Sequence, residues 1–452
     1  MHPQSVRAYL AQIEERGWLR PVADEVDPLH EISAHFVLNG GGPALRFDRV
    51  AGHQMRVFGN LLCDRERIAL GLGTSVAALQ DRIVAAIRAP LAPVFVDAAP
   101  CQEVTIEFPD LAMLPVPTFF EHETGPYLTA GVIAARDPET GRGNLSFARL
   151  KLLGAHRAMI GIAPNHHLAI FARSAQAQGK RLPIAVTLGN HPAVLIAGAL
   201  YLGLGEDELR VAGALLGAPL EAACTANGGL AVPAHCEIVL EGEIDAGAPI
   251  AEGPVSEYHG MYEDYGPGLL AEFSRMTRRQ DAMLQVVQPG YGPEHVWIGG
   301  EAIAASLAHR LRGEFPGLRQ VAITPGGAGR LHAVASLDSP RKGDAERLMR
   351  AIWDAVHLVK LVTVVDADVN PWDPLQVEMT LATRMRAERD LVVEPGARTG
   401  RSDPLEDAGR IGKLGIDATR KAGDRQDWRS AAPPAEVLRR IEGKINRKGR
   451  PG

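Results

Sequence analysis

The sequence predicts a mixed α+β (α/β) chain: a strand-rich, barrel-like centre between an N-terminal and a C-terminal α/β region. Three observations carry this. Gly (48) and Pro (32) are plentiful among the 452 residues, which favours turns and strands over a helical bundle. Between 127 and about 290, strand-like stretches outnumber helical ones. After 295, helical and strand patterns alternate, as in an α/β unit. These changes of texture divide the chain into 1–108, 109–295 and 296–452.

In chain order, residues 1–20 form a first amphipathic helix through Val6, Leu10, Ile13 and Trp18. Residues 34–60 read as short strands around an Asn39–Gly42 turn, and 64–90 as helical, with Ile68, Leu72, Leu79, Ile83 and Ile87 at helical spacing. A Pro-rich stretch, 90–117, breaks the pattern. In the centre, Tyr127–Ala135, Asn144–Leu152, Ala158–Ala163, Pro183–Leu188, Val194–Ala197, Glu237–Glu243 and Ala271–Thr277 read as strands, with helices at 166–179 and 205–216. Further on, Glu301–Glu314, Asp344–Ala355 and 374–384 are helical, and Val321–Thr324, Leu331–Leu337 and Leu361–Asp366 are strands. Residues 434–446 form a helix that docks on a partner subunit or frays.

Composition narrows the function. With 46% hydrophobic and 23% charged residues the chain is globular, and a net charge of −6 without a basic field argues against nucleic acid or anionic membrane as partner. The four cysteines form no CxxC pair, consistent with a reducing cytoplasm and no zinc site. The longest apolar run, 192–205, is too short and Gly-rich to span a bilayer.

The stretch Glu252-Gly-Pro-Val-Ser-Glu257 organises the rest. Gly253 and Pro254 bend the chain, so both acids can enter one pocket, where one would have a raised pKa and act as a proton donor. Alone, the stretch reads as a polar turn with two solvated acids rather than as a catalytic pair. Asn144 and Arg149 differ in parity on one strand, so they reach two sites. His166 and His167 open a helix. One of these imidazoles, with the Asn144 oxygen and one of Glu206, Asp207 or Glu208, suits a divalent cation that holds a phosphate. Glu121-His122-Glu123 lacks metalloprotease spacing and reads as loop. Pro325–Arg330 lacks a nucleotide-loop ending, and Asp366-Ala-Asp368 suits a cation or a turn.

Together these motifs resemble the UbiD family of decarboxylases, which use prenylated FMN. The resemblance runs from about 110 to 421. It rests on Asn144–Arg149, His167 leading into Gly179–Pro183, Gly205–Glu208, Val232–Gly242 with Glu252–Glu257, Val364–Asn370 with Ala382–Arg384, and Leu414–Thr419. It implies an FMN-binding split β-barrel in the centre and a catalytic network of Arg149, Glu252 and Glu257. It implies that Asn144, His167 and Glu208 hold Mn²⁺ or a similar ion against the flavin phosphate, with K⁺ a further candidate. The cofactor contacts implied are Asn144, Leu145, Ser146, Phe147, Ala148, Arg149, His166, His167, Gly198, Ala199, Leu200, Glu208 and Lys360. Tyr258, His259, His295 and Arg330, with Trp297 and His332, are substrate-pocket candidates. The chain departs from some members at Gly198–Tyr201, where they carry hydroxyl side chains.

The activity implied is reversible, non-oxidative decarboxylation of an aromatic, heteroaromatic or α,β-unsaturated acid. CO₂ leaves an sp² carbon and side chains stabilise the resulting carbanion poorly, so a cofactor must act as electron sink. Arg149 would orient the substrate carboxylate and keep Glu252 ionised, and Glu257, its pKa raised, would donate the proton. The resemblance also implies a flavin prenyltransferase as cofactor supplier and a cytoplasmic homodimer or larger homo-oligomer. Two rivals are an FMN-dependent oxidoreductase on a similar barrel and a non-catalytic UbiD-like subunit.

Overall fold

The computed structural model describes residues 2–421, 423–424 and 431–448. The chain builds a mixed α+β fold around one antiparallel hairpin. Its arms run from Tyr127 to Arg136 and from Gly143 to Leu152, and the arms pair with each other at Tyr127↔Lys151 and again from Val132↔Phe147 to Arg136↔Gly143. The second arm bends at Ala148, between strands Gly143–Phe147 and Arg149–Leu152. Beyond the bend it pairs with Arg157–Gly161, while the first arm pairs with Leu182–Leu188. Strands Ile238–Ala251 and Pro267–Arg278 complete the ring between those two. The sheet therefore returns on itself as a split barrel, which leaves no long free edge. Ile133, Leu150, Ile160, Ile184, Leu240 and Phe273 are buried in a single apolar cluster within it.

Neighbouring sheets are stitched to the barrel by strand exchange. Leu284–Val286 pairs in parallel with Val57–Gly59 of the N-terminal sheet, and Val94–Phe95 pairs with Glu221–Cys224. Helix Pro293–Leu311 crosses to a five-stranded C-terminal sheet ordered Leu318–Ile323, His332–Leu337, Leu361–Asp366, Arg410–Asp417, Leu391–Arg398. Among the described residues no single helix is long and apolar enough to cross a membrane.

Several elements differ from the sequence expectation, among them the Asn144–Leu152 strand, which the bend at Ala148 breaks in two. Residues expected as a strand near 34 lie in a helix, Glu31–Asn39, because Ile32 and Phe36 bury one helical face. Val194–Ala197 is not a strand but part of helix Pro192–Ala199. Pro192 sits in its first turn, the His191 side chain accepts from the Ala193 amide, and burial on all sides erases any helical periodicity. The helix expected from Glu301 begins at Pro293, which brings His295 into its first turn. The C-terminal helix runs Ala435–Lys448; residues 425–430 and 449–452 lie outside the described residues.

Candidate active site

A cavity of about 470 Å³ opens beside the bent hairpin arm, a size typical of cofactor sites. Asn144, Leu145, Ser146, Phe147, His166, His167, Gly198, Ala199, Leu200 and Glu208 line it, as do His295 and Arg330. The strand Gly143–Phe147 supplies one wall, and two helix starts supply another. Helix His167–Ala177 is capped by His166, whose Nδ1 accepts from the Leu168 amide, and Asp207 caps Glu208–Leu216. Glu208, only 2% exposed, accepts from Asn144 Nδ2 at 3.1 Å and from the Leu145 amide at 2.9 Å. Burial pushes its carboxyl up to about 7 against the pull of those donors, and it has no basic partner among the described residues. Burial holds both histidines below the usual imidazole range, His166 at about 4, so they are neutral. A buried carboxylate without a counter-cation, a neutral imidazole and an amide oxygen together fit a divalent cation.

On the other side of the bend lies a charged cluster. Strand Ile238–Ala251 ends immediately before Glu252, and Gly253 adopts φ +76°, a value glycine reaches without strain. The chain therefore turns back, and Glu252 and Glu257 both reach one guanidinium. Arg149 binds Glu252 in a fork, Nε to Oε1 at 2.6 Å and Nη2 to Oε2 at 2.8 Å, with Glu257 Oε2 at 3.9 Å from Nη1. Lys151 Nζ donates to the Glu252 carbonyl at 2.6 Å and so fixes the turn. Burial alone would lower the Arg149 pKa, but Glu252 and Glu257 drive it above the usual value.

The expectation of a raised Glu257 pKa is not met. Burial does push Glu257 up, but Arg149, the Tyr265 hydroxyl and the Tyr258 amide together hold it below the usual carboxylate range. The neighbouring acid is neutralised by the same arginine, so like-charge repulsion, one of the two grounds for the expectation, is cancelled, and the other, burial, is outweighed.

The remaining candidates separate. His295 accepts no charge: burial and then Arg330 hold it at about 4, and its Nδ1 lies 2.9 Å from the Gly290 carbonyl. Arg330 lies over the Tyr258 ring, its centroid 5.9 Å away, and among the described residues its guanidinium donates, through Nη1, only to the Gly329 carbonyl. Gly299 makes this possible, since a Cβ there would fall 1.6 Å from Nη1. His259 turns away toward Glu263 at 3.4 Å. Lys360 does not line the cavity; its Nζ pairs with buried Asp403 at 2.9 Å. Trp297 stacks on Trp372, and His332 meets the Thr363 hydroxyl. Asp366 and Asp368, candidates for a cation, bind Arg384.

Sequence reasoning missed three residues. Glu123, read as loop, is 8% exposed and accepts from the Ser256 hydroxyl at 3.0 Å, so it anchors the strand leading into Glu257. Tyr265 stands beside Glu257, and Arg401 reaches Tyr265 from the C-terminal sheet. Tyr265 lies a few residues beyond the pocket candidates Tyr258 and His259. Nothing local pointed to Arg401.

Comparison with known proteins agrees across the chain. Residues 94–292 match the 3-octaprenyl-4-hydroxybenzoate carboxy-lyase Rift-related domain (UbiD), 10–87 its N-terminal domain and 296–418 its C-terminal domain. The anhydromevalonate phosphate decarboxylase of Methanosarcina mazei is 31% identical over 434 residues, covering 95% of this chain and 99% of that protein. The UbiD-class enzyme HmfF from Pelotomaculum thermopropionicum, solved with FMN, superposes with a TM-score of 0.90 at 37% identity, over 97% of this chain and 99% of that one. An evolved dimeric form of the same enzyme, solved with prFMN, gives 0.88 at 35% identity, over 97% and 100%.

Proposed function

The chain belongs to the UbiD family and is a carboxy-lyase, and on that premise we propose that it catalyses reversible, non-oxidative decarboxylation of an aromatic, heteroaromatic or α,β-unsaturated acid at Arg149, Glu252 and Glu257. The observation that carries this reading is the fork between Arg149 and Glu252 with Glu257 on the same guanidinium. Asn144, His167 and Glu208 would hold a divalent cation, and the wall from Asn144 to Phe147 with Gly198–Leu200 would hold prenylated FMN. When bound, that cofactor supplies the electron sink for the carbanion.

The chain's own residues do the rest. Arg149 orients the substrate carboxylate through donors that Glu252 keeps in plane. Glu257 is ionised before substrate arrives. A carboxylate docking beside Arg149 adds negative charge and offsets the pull that holds Glu257 down, so Glu257 takes up a proton on one carboxylate oxygen and delivers it to the carbon that loses CO₂.

Arg330 has donors to spare, which favours an acid carrying a second anionic group. The archaeal relative, whose substrate is a phosphate ester by name, is consistent with this. We further infer a cytoplasmic homo-oligomer supplied by a flavin prenyltransferase. Leu438 and Ile441, exposed on the C-terminal helix, offer an apolar surface for assembly. The test is decarboxylation profiling over a panel of mono- and dicarboxylic and phosphorylated acids, using protein made with a prenyltransferase. Glu257→Gln should keep the flavin and lose turnover; plain FMN on extraction with NAD(P)H consumption would sink the reading in favour of an oxidoreductase.

A further inference from the structure

The loop 399–409 joins strands Leu391–Arg398 and Arg410–Asp417 of the C-terminal sheet, yet its tip lies on the barrel. Its root is rigid. Asp403 is 2% exposed and accepts from Lys360 Nζ at 2.9 Å and from the Leu405 amide at 3.1 Å. From this root Arg401 reaches across and donates to two barrel carbonyls, Nη1 to Tyr265 at 3.0 Å and Nη2 to Ile162 at 3.1 Å. The adjacent Ser402 carbonyl accepts from the Tyr258 hydroxyl at 2.8 Å.

All three contacts fall on backbone or rings that frame the charged cluster. Tyr258 follows Glu257 directly, and Tyr265 ends the same excursion. Ile162 follows Gly161, which pairs with Arg149 and whose missing Cβ leaves room for Arg149 Nε, 2.9 Å from the site a Cβ would occupy. The Tyr265 ring carries two guanidiniums, Arg401 at 4.9 Å and Arg149 at 5.5 Å from its centroid. Burial and Arg149 both oppose the Arg401 charge, while Glu252 and Glu257 favour it. Arg401 therefore sits where its charge is opposed by Arg149 and favoured by the two carboxylates, a placement beyond what anchoring a loop needs.

We propose that Arg401 is a positioning residue for decarboxylation, delivered by the C-terminal sheet, which holds Tyr265 and Ile162 against Arg149, Glu252 and Glu257 so that the cluster is complete only while the 399–409 loop is seated on the barrel. This rests on reading that cluster as the catalytic one.

The test compares native, Arg401→Met, Arg401→Lys and Glu257→Gln proteins, each flavin-loaded. Amide exchange of 258–266 and 399–409 is read in all four, and kcat and KM are read on whichever acid the native enzyme turns over in the panel above. Arg401→Met should keep flavin content and leave KM within about two-fold, lower kcat by roughly 10- to 100-fold as misplaced groups do, and speed exchange in 258–266. Methylguanidinium should restore part of the rate, and Arg401→Lys should fall between native and Met. Native kcat with unchanged exchange in Arg401→Met would overturn the proposal. So would a loss of kcat that tracks flavin loss or global unfolding. Glu257→Gln distinguishes the two readings: full activity there removes the catalytic cluster, while the exchange result for Arg401→Met still reports whether Arg401 holds Tyr265.

Discussion

Arg149 and Glu252 meet edge to edge, two donors on two oxygens at 2.6 and 2.8 Å, although 103 residues separate them. Only a guanidinium has the planar fork for this, and only the bend at Ala148 and the turn at Gly253 bring the two into register. Arg149→Lys keeps the charge and loses the fork. We expect kcat/KM to fall about 100-fold with flavin retained, measured by steady-state kinetics on flavin-matched samples.

Glu257 is ionised below the ordinary carboxylate range because Arg149, Tyr265 and the Tyr258 amide outweigh its burial. A carboxylate ligand beside Arg149 should raise that pKa, so binding at pH 7 takes up to about one proton. Calorimetry of an acid inhibitor in two buffers of different ionisation enthalpy measures it. The uptake should vanish in Glu257→Gln.

Arg330 has donors free for a second anion on the substrate and depends on the space left by Gly299. Arg330→Met should raise KM about 10- to 100-fold for an acid with a second anionic group, as loss of a charge-assisted hydrogen bond does, and leave a monoacid nearly unaffected. Gly299→Ala should behave similarly, since a Cβ there displaces the guanidinium.

Glu208 is a buried carboxylate lacking a cation among its described neighbours. Chelation of the holoenzyme, followed by gel filtration, should release both divalent metal and flavin. Glu208→Gln should fold but fail to retain either, read by metal analysis and flavin absorbance.

Glu294 is fully buried at the start of helix Pro293–Leu311, where it accepts from the Asn60 and Leu62 amides at 2.8 and 3.1 Å. Burial pushes its carboxyl from 4.5 up to about 7 despite those amides. An acid whose pKa rises on folding is protonated in the folded chain while the unfolded chain has already ionised, so stability falls as pH climbs between these values. The loss is roughly 3 kcal/mol at most. Denaturant melts from pH 4.5 to 7.5 should show the decline. Glu294→Gln should be less stable at its best but flatter, because its amide nitrogen faces an amide donor.

Much of this site was legible in the sequence because its signals are local. Acids flanking Gly253-Pro254 announce a bend, and Asp207-Glu208 opens a helix; the single strand expected to carry Asn144 and Arg149 is instead broken at Ala148. What failed locally had a tertiary cause. The Val194–Ala197 run is β-branched in part and apolar throughout, and burial on every side left no helical period to read. The Glu257 pKa had the wrong sign because the charge of Arg149 was assigned to Glu252 alone, whereas in the fold the same guanidinium also faces Glu257. Lys360 was assigned to the cofactor, but Asp403, brought in by the 399–409 loop, takes its charge.

The sequence by itself determined the strand-rich centre, the turn that carries two acids, and the residue types that suit a cation and a flavin, since these follow from periodicity, backbone freedom and donor chemistry within a few residues. The tertiary structure alone decided which charges meet. Arg401 lies 136 residues from Tyr265 and 239 from Ile162. Electrostatic fields depend on distance in space, and the bend at Ala148, the Gly253 turn and the loop from the C-terminal sheet set those distances.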